Sequence, residues 1–423
     1  MFEKLIGYTD LKKELEMLVD TLIRPTKYKA LGAVPPRNIL LHGEPGIGKS
    51  LLASEFVIAT GRKAYTLRKN KPNGDFVNYI KSIFDEAMKN QPSIVLCEDC
   101  CKFANEDDSH RDAEEYVTLQ SCIDEVAKEN ADVFVIATAN DIRRLPTSLI
   151  RKGRFDKVIK MRHPTGDDAI KIIEHYLKDK MLDEDVSASE IGKLLDGASC
   201  ATLENVTREA GLYAGFEERK KINRNDLIRA AMRIIFDAPE SSETMKYEDA
   251  KRIAVHECGH AIVAMCQELG SVNLVSINKH GGNVGGITSY TNNESYWYST
   301  KYMSERVVVL LAGKAATELI YGEGDVGCNE DLHRAFDIVE RFVDNYTNFG
   351  FDKFERRSSS PTLLEKKETY VHAELDRYYA RAKQIISQNR VFFDILVEEV
   401  IRKKTITGDE IRKLWCSSSK NAG

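Results

Sequence analysis

The chain has no uninterrupted apolar run of the roughly eighteen residues that a membrane-spanning helix needs. Its richest runs, Val133 to Ala139 and Val307 to Gly313, have the length of a core strand and a core helix segment. The opening residues, MFEKLIGYTD, show no basic head followed by an apolar stretch, so no secretory leader is expected. No Lys/Arg block or basic stripe stands out, and the formal net charge is −5, which argues against nucleic acid as a partner. The nine cysteines follow no regular spacing. Cys97, Cys100 and Cys101 lie together but lack the distant second pair of a zinc ribbon, and they read as buried reduced thiols of a cytoplasmic protein. Internal repeats are missing too. What remains is 423 residues, 42% hydrophobic and 30% charged, enough for two or three domains that need no disulfide or metal to fold.

Short apolar β-type runs alternate with longer helical patterns through the first ~160 residues, which implies a parallel sheet covered by helices on both faces. Strands are expected at Asn38–His42, Ala64–Leu67, Ile94–Cys97, Val133–Thr138 and Lys157–Met161, and helices at Asp10–Leu22, Lys49–Thr60, Phe76–Lys89 and Asp112–Lys128. After Pro164 the strand signal stops. Thr165 to about Ala238 carries helical periodicity punctuated by Gly197 and Pro239, as in a small helical lid. From Tyr247 a mainly helical region follows. It is interrupted by a hairpin-like stretch, Val272–Tyr290, broken at Gly281-Gly282 and Gly285-Gly286, and later by the polar segment Arg356–Ser360. The expected domains are 1–163, 164–240 and 245–423.

The segment Gly43-Glu-Pro45-Gly46-Ile-Gly48-Lys49-Ser50 fits GxxxxGK[ST] and lies between an expected strand and an expected helix. In that setting glycines let backbone N–H groups close around phosphates at a helix N-terminus. Lys49 would reach the β- and γ-phosphates of ATP, and Ser50 would hold Mg²⁺. Nucleotide hydrolysis also needs an acidic residue for Mg²⁺ and one to activate water at the end of a neighbouring strand. Glu98 and Asp99, closing Ile94–Cys97, supply both.

Val255-His256-Glu257-Cys-Gly-His260 lies in a helical pattern from about Glu248 to Leu269. Histidines at i and i+4 stand about 40° apart around a helix and can share one metal. Glu257, one position on, can take a proton from the water at that metal and pass it to a leaving amine. Gly259 costs such a helix ~1 kcal/mol relative to alanine, and close packing against the metal loop is the expected reason. Catalytic zinc takes three protein ligands and one open position. Glu330, Asp331 and His333 all qualify for the third, and spacing does not choose among them; nor does ligand type by itself exclude iron or cobalt.

The motifs together resemble a known family. Asn140, at the end of VFVIATAN, resembles the polar sensor that positions attacking water in AAA+ ATPases. The run Leu149 to Asp156, with Arg151 and Arg154, is similar to the stretch carrying their arginine fingers, which act on nucleotide in a neighbouring subunit. HECGH resembles HEAGH, and GCNEDL resembles the glycine-rich segment ending Asn-Asp, of FtsH-type AAA proteases with an M41 peptidase domain. This resemblance places the third zinc ligand at Asp331. It implies an ATP-dependent zinc metalloendopeptidase, hexameric, that unfolds and degrades unfolded or tagged proteins; the cytoplasmic expectation comes instead from the lack of a spanning run or leader.

The likeness spans roughly residues 3 to 415 without the family's N-terminal transmembrane pair. The chain departs from the family pattern in its Glu98-then-Asp99 order, which implies slower hydrolysis. It also departs at Arg68–Gly74, which lacks the family's aromatic pore-loop triplet and implies weaker or more specialised gripping of substrate. Phe76 and Tyr79 read as helix residues facing the core. Two other readings stay open at this point, a remodelling ATPase with a vestigial peptidase and a zinc peptidase with a lapsed motor. The hairpin can be a peptide-holding edge or a plain structural element.

Overall fold

The computed structural model describes residues 1–33, 35–104, 113–236, 245–268, 271–278, 286–290, 299–345 and 360–420. They form two compact units, Met1–Arg224 and Asn225–Gly423.

The first unit runs α1 (Thr9–Ile23), α2 (Pro25–Ala30), β1 (Asn38–His42), α3 (Lys49–Thr60), β2 (Lys63–Leu67), α4 (Asn73–Lys89), β3 (Ser93–Cys97), α5 (Glu114–Lys128), β4 (Val133–Ala139), β5 (Lys157–Lys160), α6 (Asp167–Leu177), α7 (Ala188–Leu194) and α8 (Cys200–Phe216). All five strands are parallel, in the order β2-β3-β4-β1-β5. Successive strand side chains point to opposite faces, so near-continuous apolar strands need cover on both sides. On β1, Ile39 and Leu41 pack with Leu15, Leu52 and Phe56 from α1 and α3. Leu40 faces the other way, toward Phe84, Leu119 and Ile123 from α4 and α5. Phe56 stacks on Phe134 with ring centroids 5.5 Å apart.

The expected elements of this unit are present, with boundaries shifted by at most three residues. The largest shift is α4, which begins at Asn73 with the Phe76 amide donating to Pro72 O at 2.8 Å, so part of the Arg68–Gly74 stretch is already helical. Phe76 is fully buried and Tyr79 packs at the edge of the same cluster, as expected. Cys97, Cys100 and Cys101 are buried free thiols. The helical segment carries one feature its periodicity does not reveal, an isolated parallel bridge between Leu182 and Ile222.

The boundary between the units falls at the start of α9 (Arg224–Phe236), a helix within the 164–240 span expected for the lid. The second unit continues with α10 (Tyr247–Gln267), β6 (Val272–Ser276), β7 (Ile287–Tyr290), α11 (Thr300–Tyr321), α12 (Asn329–Asn345), α13 (Pro361–Gln388), α14 (Arg390–Lys403), β8 (Thr405–Thr407) and α15 (Gly408–Lys420). Its core joins α10, α11, α12, α13 and α14 through residues such as Val255, Ile262, Leu311, Val339, Ile386 and Phe393. The hairpin strands pair antiparallel as expected, and β8 adds an unexpected third strand on the other side of β6. Three residues, Thr405 to Thr407, are too few to show period-two alternation. Among the described residues no helix is long and apolar enough to cross a membrane. Asp112, Pro239, Leu269, the hairpin turn with Gly281, Gly282 and Gly285, and 356–359 of the polar break lie outside the described residues.

Candidate functional sites

In the first unit, β1, β4 and β3 are adjacent, so the segments leaving their C-terminal ends converge where open α/β sheets bind ligands. The phosphate loop follows β1, Asn140 follows β4, and Glu98 and Asp99 follow β3. Gly46, Gly48, Lys49, Ser50, Asp99 and Asn140 line one cleft of about 530 Å³, a size suited to a nucleotide.

The loop depends on its glycines. Gly43, Gly46 and Gly48 have φ of 149°, 78° and 93°, and a Cβ at Gly43 would stand 2.5 Å from Met161 O. The Lys49 ammonium donates to Gly43 O at 2.8 Å and Glu44 O at 2.6 Å. Its burial lowers its pKa, an effect opposed by the Asp99 carboxylate. Asp99 sits at φ 51°, its amide donating to Thr138 Oγ1 at 3.0 Å, and Lys102 donates to its Oδ2 at 3.2 Å. A non-glycine residue in the left-handed region at the tip of a strand marks a functional-site candidate.

The cleft has a side that the motifs did not announce. Leu5, Ile6 and Tyr8 line it from the N-terminal segment, as do His175, Tyr176 and Cys200 from the helical segment. The Tyr8 hydroxyl, shared between Ile47 O at 3.2 Å and Arg162 O at 3.0 Å, also lies 3.6 Å from Cys200 Sγ. These residues have no fixed spacing to the phosphate loop, so no sequence signal ties them to it.

Glu98, Arg151 and Arg154 do not line the cleft. Arg151 is exposed. Arg154 is engaged within its own chain: it forks onto Asp124 at 3.0 and 2.8 Å and donates to Gln120 Oε1 at 2.6 Å and Ser148 O at 2.7 Å.

In the second unit the metal-site candidates separate. His256 and His260 on α10 and Asp331 in the first turn of α12 each offer one ligand atom to a common point. The two Nε2 atoms are 3.1 Å apart, and Asp331 Oδ2 lies 3.4 Å from His256 Nε2 and 3.2 Å from His260 Nε2. Bonds of about 2.0–2.2 Å to a tetrahedral zinc put neighbouring ligands roughly 3.3 Å apart, so the triad fits three vertices and leaves the fourth open. Glu330 pairs instead with Arg334, and His333 is exposed.

The surroundings orient the triad. Val309 O on α11 lies 2.7 Å from His260 Nδ1, so that nitrogen carries the proton and Nε2 turns its lone pair to the metal. Burial alone would lower the pKa of His260, but the Asp331 carboxylate against it, with Glu257 nearby, raises it to about 9. Asp331 is half-buried, which alone would raise its pKa, yet the two imidazoles hold it well below the usual carboxylate range. A metal therefore enters in competition with a proton.

Gly259 does pack closely, but not against the metal loop as expected. A Cβ there would stand 2.5 Å from Ala312 O and 2.7 Å from Ala316 Cβ on α11. Its counterpart on α11, Gly313, leaves room for both rings, since a Cβ would come within 2.5 Å of His256 Nε2 and 2.6 Å of His260 Nε2. Neither Gly313 nor Val309 carries a sequence signal, because each contributes only backbone.

Residues 39–163 match the family described as ATPase family associated with various cellular activities (AAA), and residues 243–414 match Peptidase family M41. An ATP-dependent zinc metalloprotease FtsH 2 of Symbiobacterium thermophilum is 30% identical over 442 residues, covering 98% of this chain and 74% of that protein. FtsH 2 of Thermoanaerobacter sp. (strain X514) is 27% identical, covering 98% and 82%. FtsH of Bacillus subtilis is 28% identical, covering 98% and 69%. Zinc and ATP with Mg²⁺ are accordingly the cofactors, and neither alternative reading is favoured. With an AAA domain, an M41 peptidase domain and a relative at this identity across nearly its whole length, the chain belongs to the FtsH family of ATP-dependent zinc metalloproteases.

Proposed function

We propose that the chain forms a homo-hexameric cytoplasmic ring that spends ATP on unfolding and threading unfolded or tagged proteins toward an endopeptidase site, with 1–163 as motor domain, 164–240 as lid and 245–423 as peptidase. One observation carries this reading: the chain holds both a three-ligand zinc triad with a neighbouring glutamate and a phosphate-loop cleft with Asp99 and Asn140 in its lining.

In this reading Lys49 binds the β- and γ-phosphates while Gly43, Pro45, Gly46 and Gly48 shape the loop around them. Ser50 would hold Mg²⁺, Glu98 would have to turn into the cleft to join it, Asp99 activates the attacking water and Asn140 orients it. The Lys49 ammonium exchanges its two carbonyl partners for phosphate oxygens. Arg151 serves the neighbouring subunit's nucleotide, which its exposure and its place outside its own cleft support. Arg154 would have to leave Asp124 to do the same.

His256, His260 and Asp331 hold zinc, which supplies Lewis acidity and makes water a nucleophile near neutral pH. Glu257, whose side chain is largely buried, takes the proton from the attacking water and returns it to the leaving amine.

The test is degradation of an unstructured protein and of a folded reporter, with ATP, with a non-hydrolysable analogue, and with Glu257→Gln. The expected result is cleavage of both only with hydrolysable ATP, and a loss of about 10²–10⁴-fold in the Gln variant with zinc retained. Cleavage of the unstructured substrate without hydrolysis would remove threading from the proposal.

A further inference from the structure

Strand β7 touches Glu257 at two levels. At its start, a Cβ on Gly286 would collide with Glu257 Cγ, lie 2.9 Å from its Cδ and stand 2.7 Å from Ser276 O. The strand backbone therefore runs directly against the aliphatic stem of the glutamate. Two residues on, Thr288 Oγ1 lies 2.9 Å from Glu257 O and 2.7 Å from Glu257 Oε2. Pairing with β6 delivers both contacts, since Ile287 lies opposite Ser276 and Thr288 opposite Val275.

We propose that Thr288 is a positioning residue for the peptidase reaction: its hydroxyl, braced on the main chain of Glu257, sets the direction of the Glu257 carboxylate, with Gly286 clamping the stem. This rests on the reading of Glu257 as proton carrier. A free glutamate samples several rotamers, and ordering it costs conformational entropy. A proton carrier must meet its water at hydrogen-bond distance, and a misplacement of about 1 Å costs on the order of a hundredfold in rate. A hydroxyl whose one proton is shared between the carbonyl and the carboxylate of one residue, with the shorter distance to the carboxylate, ties the side chain's end to its own backbone. Threonine suits this brace because its β-branched χ1 is stiff. A tie serving only to hold β7 on α10 would need the carbonyl contact and not the carboxylate.

The experiment uses the full chain loaded with zinc and ATP, cleaving a short unstructured peptide, as wild type, Thr288→Val, Thr288→Ser, Gly286→Ala and Glu257→Gln. Thr288→Val is expected to lose about 10–100-fold in kcat with KM within about twofold, and with ATP hydrolysis and zinc stoichiometry unchanged. Thr288→Ser restores most of kcat, and Gly286→Ala falls in the same direction as Val. A second readout is independent of turnover: binding of a peptide hydroxamate, whose hydroxyl meets the proton carrier, weakens about tenfold in both Val and Gln and stays near wild type in Ser.

Wild-type kcat and hydroxamate affinity in Thr288→Val would overturn the assignment. So would a loss that follows zinc loss or a lowered melting temperature of the metal-free protein and is not rescued by serine. If Glu257→Gln itself keeps the wild-type rate, it is the proton-carrier reading that fails, and the brace with it.

Discussion

The two sites of this chain are built to opposite specifications. In the second unit, three ligand atoms from two helices stand 3.1–3.4 Å apart, with one ring locked by a backbone carbonyl and both rings accommodated by a glycine. In the first, the charged groups that line the cleft are tied by exchangeable hydrogen bonds to the chain itself: Lys49 to two loop carbonyls and Asp99 to Lys102. The contrast follows from the ligands. A small cation demands fixed distances and gains from every constraint imposed before it arrives. A nucleotide is large, arrives and leaves each cycle, and needs partners that can exchange one hydrogen bond for another. A rigid site and an exchangeable one should therefore respond differently to substitution.

The largest expected separation is His260→Ala, which should remove bound zinc and all peptidase activity while leaving ATP hydrolysis near wild type. Metal content and phosphate release measured on one preparation check it, and loss of both activities together would break the contrast. Next, Arg151→Ala should lower ATP hydrolysis by about 10³-fold without changing thermal stability, as for a residue acting across subunits. Arg154→Ala should instead cost on the order of 1 kcal/mol in unfolding free energy through its lost fork onto partly exposed Asp124. Equal effects of the two on hydrolysis would make both arginines fingers.

Gly313→Ala sharpens the rigid side of the comparison. The added methyl meets both imidazoles, so zinc affinity should fall about 10–100-fold in a competition assay with a chelator, as for lost orienting contacts around a metal.

The smallest effect concerns a surface support of the same unit. Glu318 on α11 accepts from Lys383 at 2.8 Å, from the Tyr379 hydroxyl and from Lys314 at 3.2 Å. Lys383 foremost, with Tyr379 and Lys314, lowers its pKa from 4.5 to about 2. A depressed carboxylate pKa stabilises the fold above about pH 4.5, and the contribution fades as pH falls toward 2. Glu318→Gln should therefore cost on the order of 1 kcal/mol at neutral pH, after allowance for solvent screening. That cost should shrink below pH 4.5 in denaturant titrations of the two proteins.

Local pattern and chemistry made much of this protein readable. Apolar strands alternating with amphipathic helices gave the covered parallel sheet, because burial on both faces leaves a continuous apolar run in the chain. Gly43 to Ser50 and His256 to His260 were legible because each motif is a contiguous segment in which residue type and spacing bring the site's groups together, backbone N–H groups in the first and two imidazoles in the second. The choice of Asp331 over Glu330 and His333 was not legible from spacing. It turns on which face of the first turn of α12 meets α10. The close packing of Gly259 was legible in its helix position but its partner was not, since α11 lies some fifty residues away in the chain.

What the sequence by itself determined is the chemistry each unit carries and the elements that bear it, since those reside in short-range periodicity and fixed spacings. What only the tertiary structure decided is everything held by long-range contact: the distances that bring Asp331 to the two histidines, the Val309 carbonyl behind His260, the backbone room at Gly313 and Gly286, the Thr288 contacts to Glu257, and the N-terminal and helical walls of the cleft beside the phosphate loop. Those groups act through backbone atoms or ordinary side chains whose identity announces nothing, and their role exists only once packing brings them within a few ångströms of the reacting site.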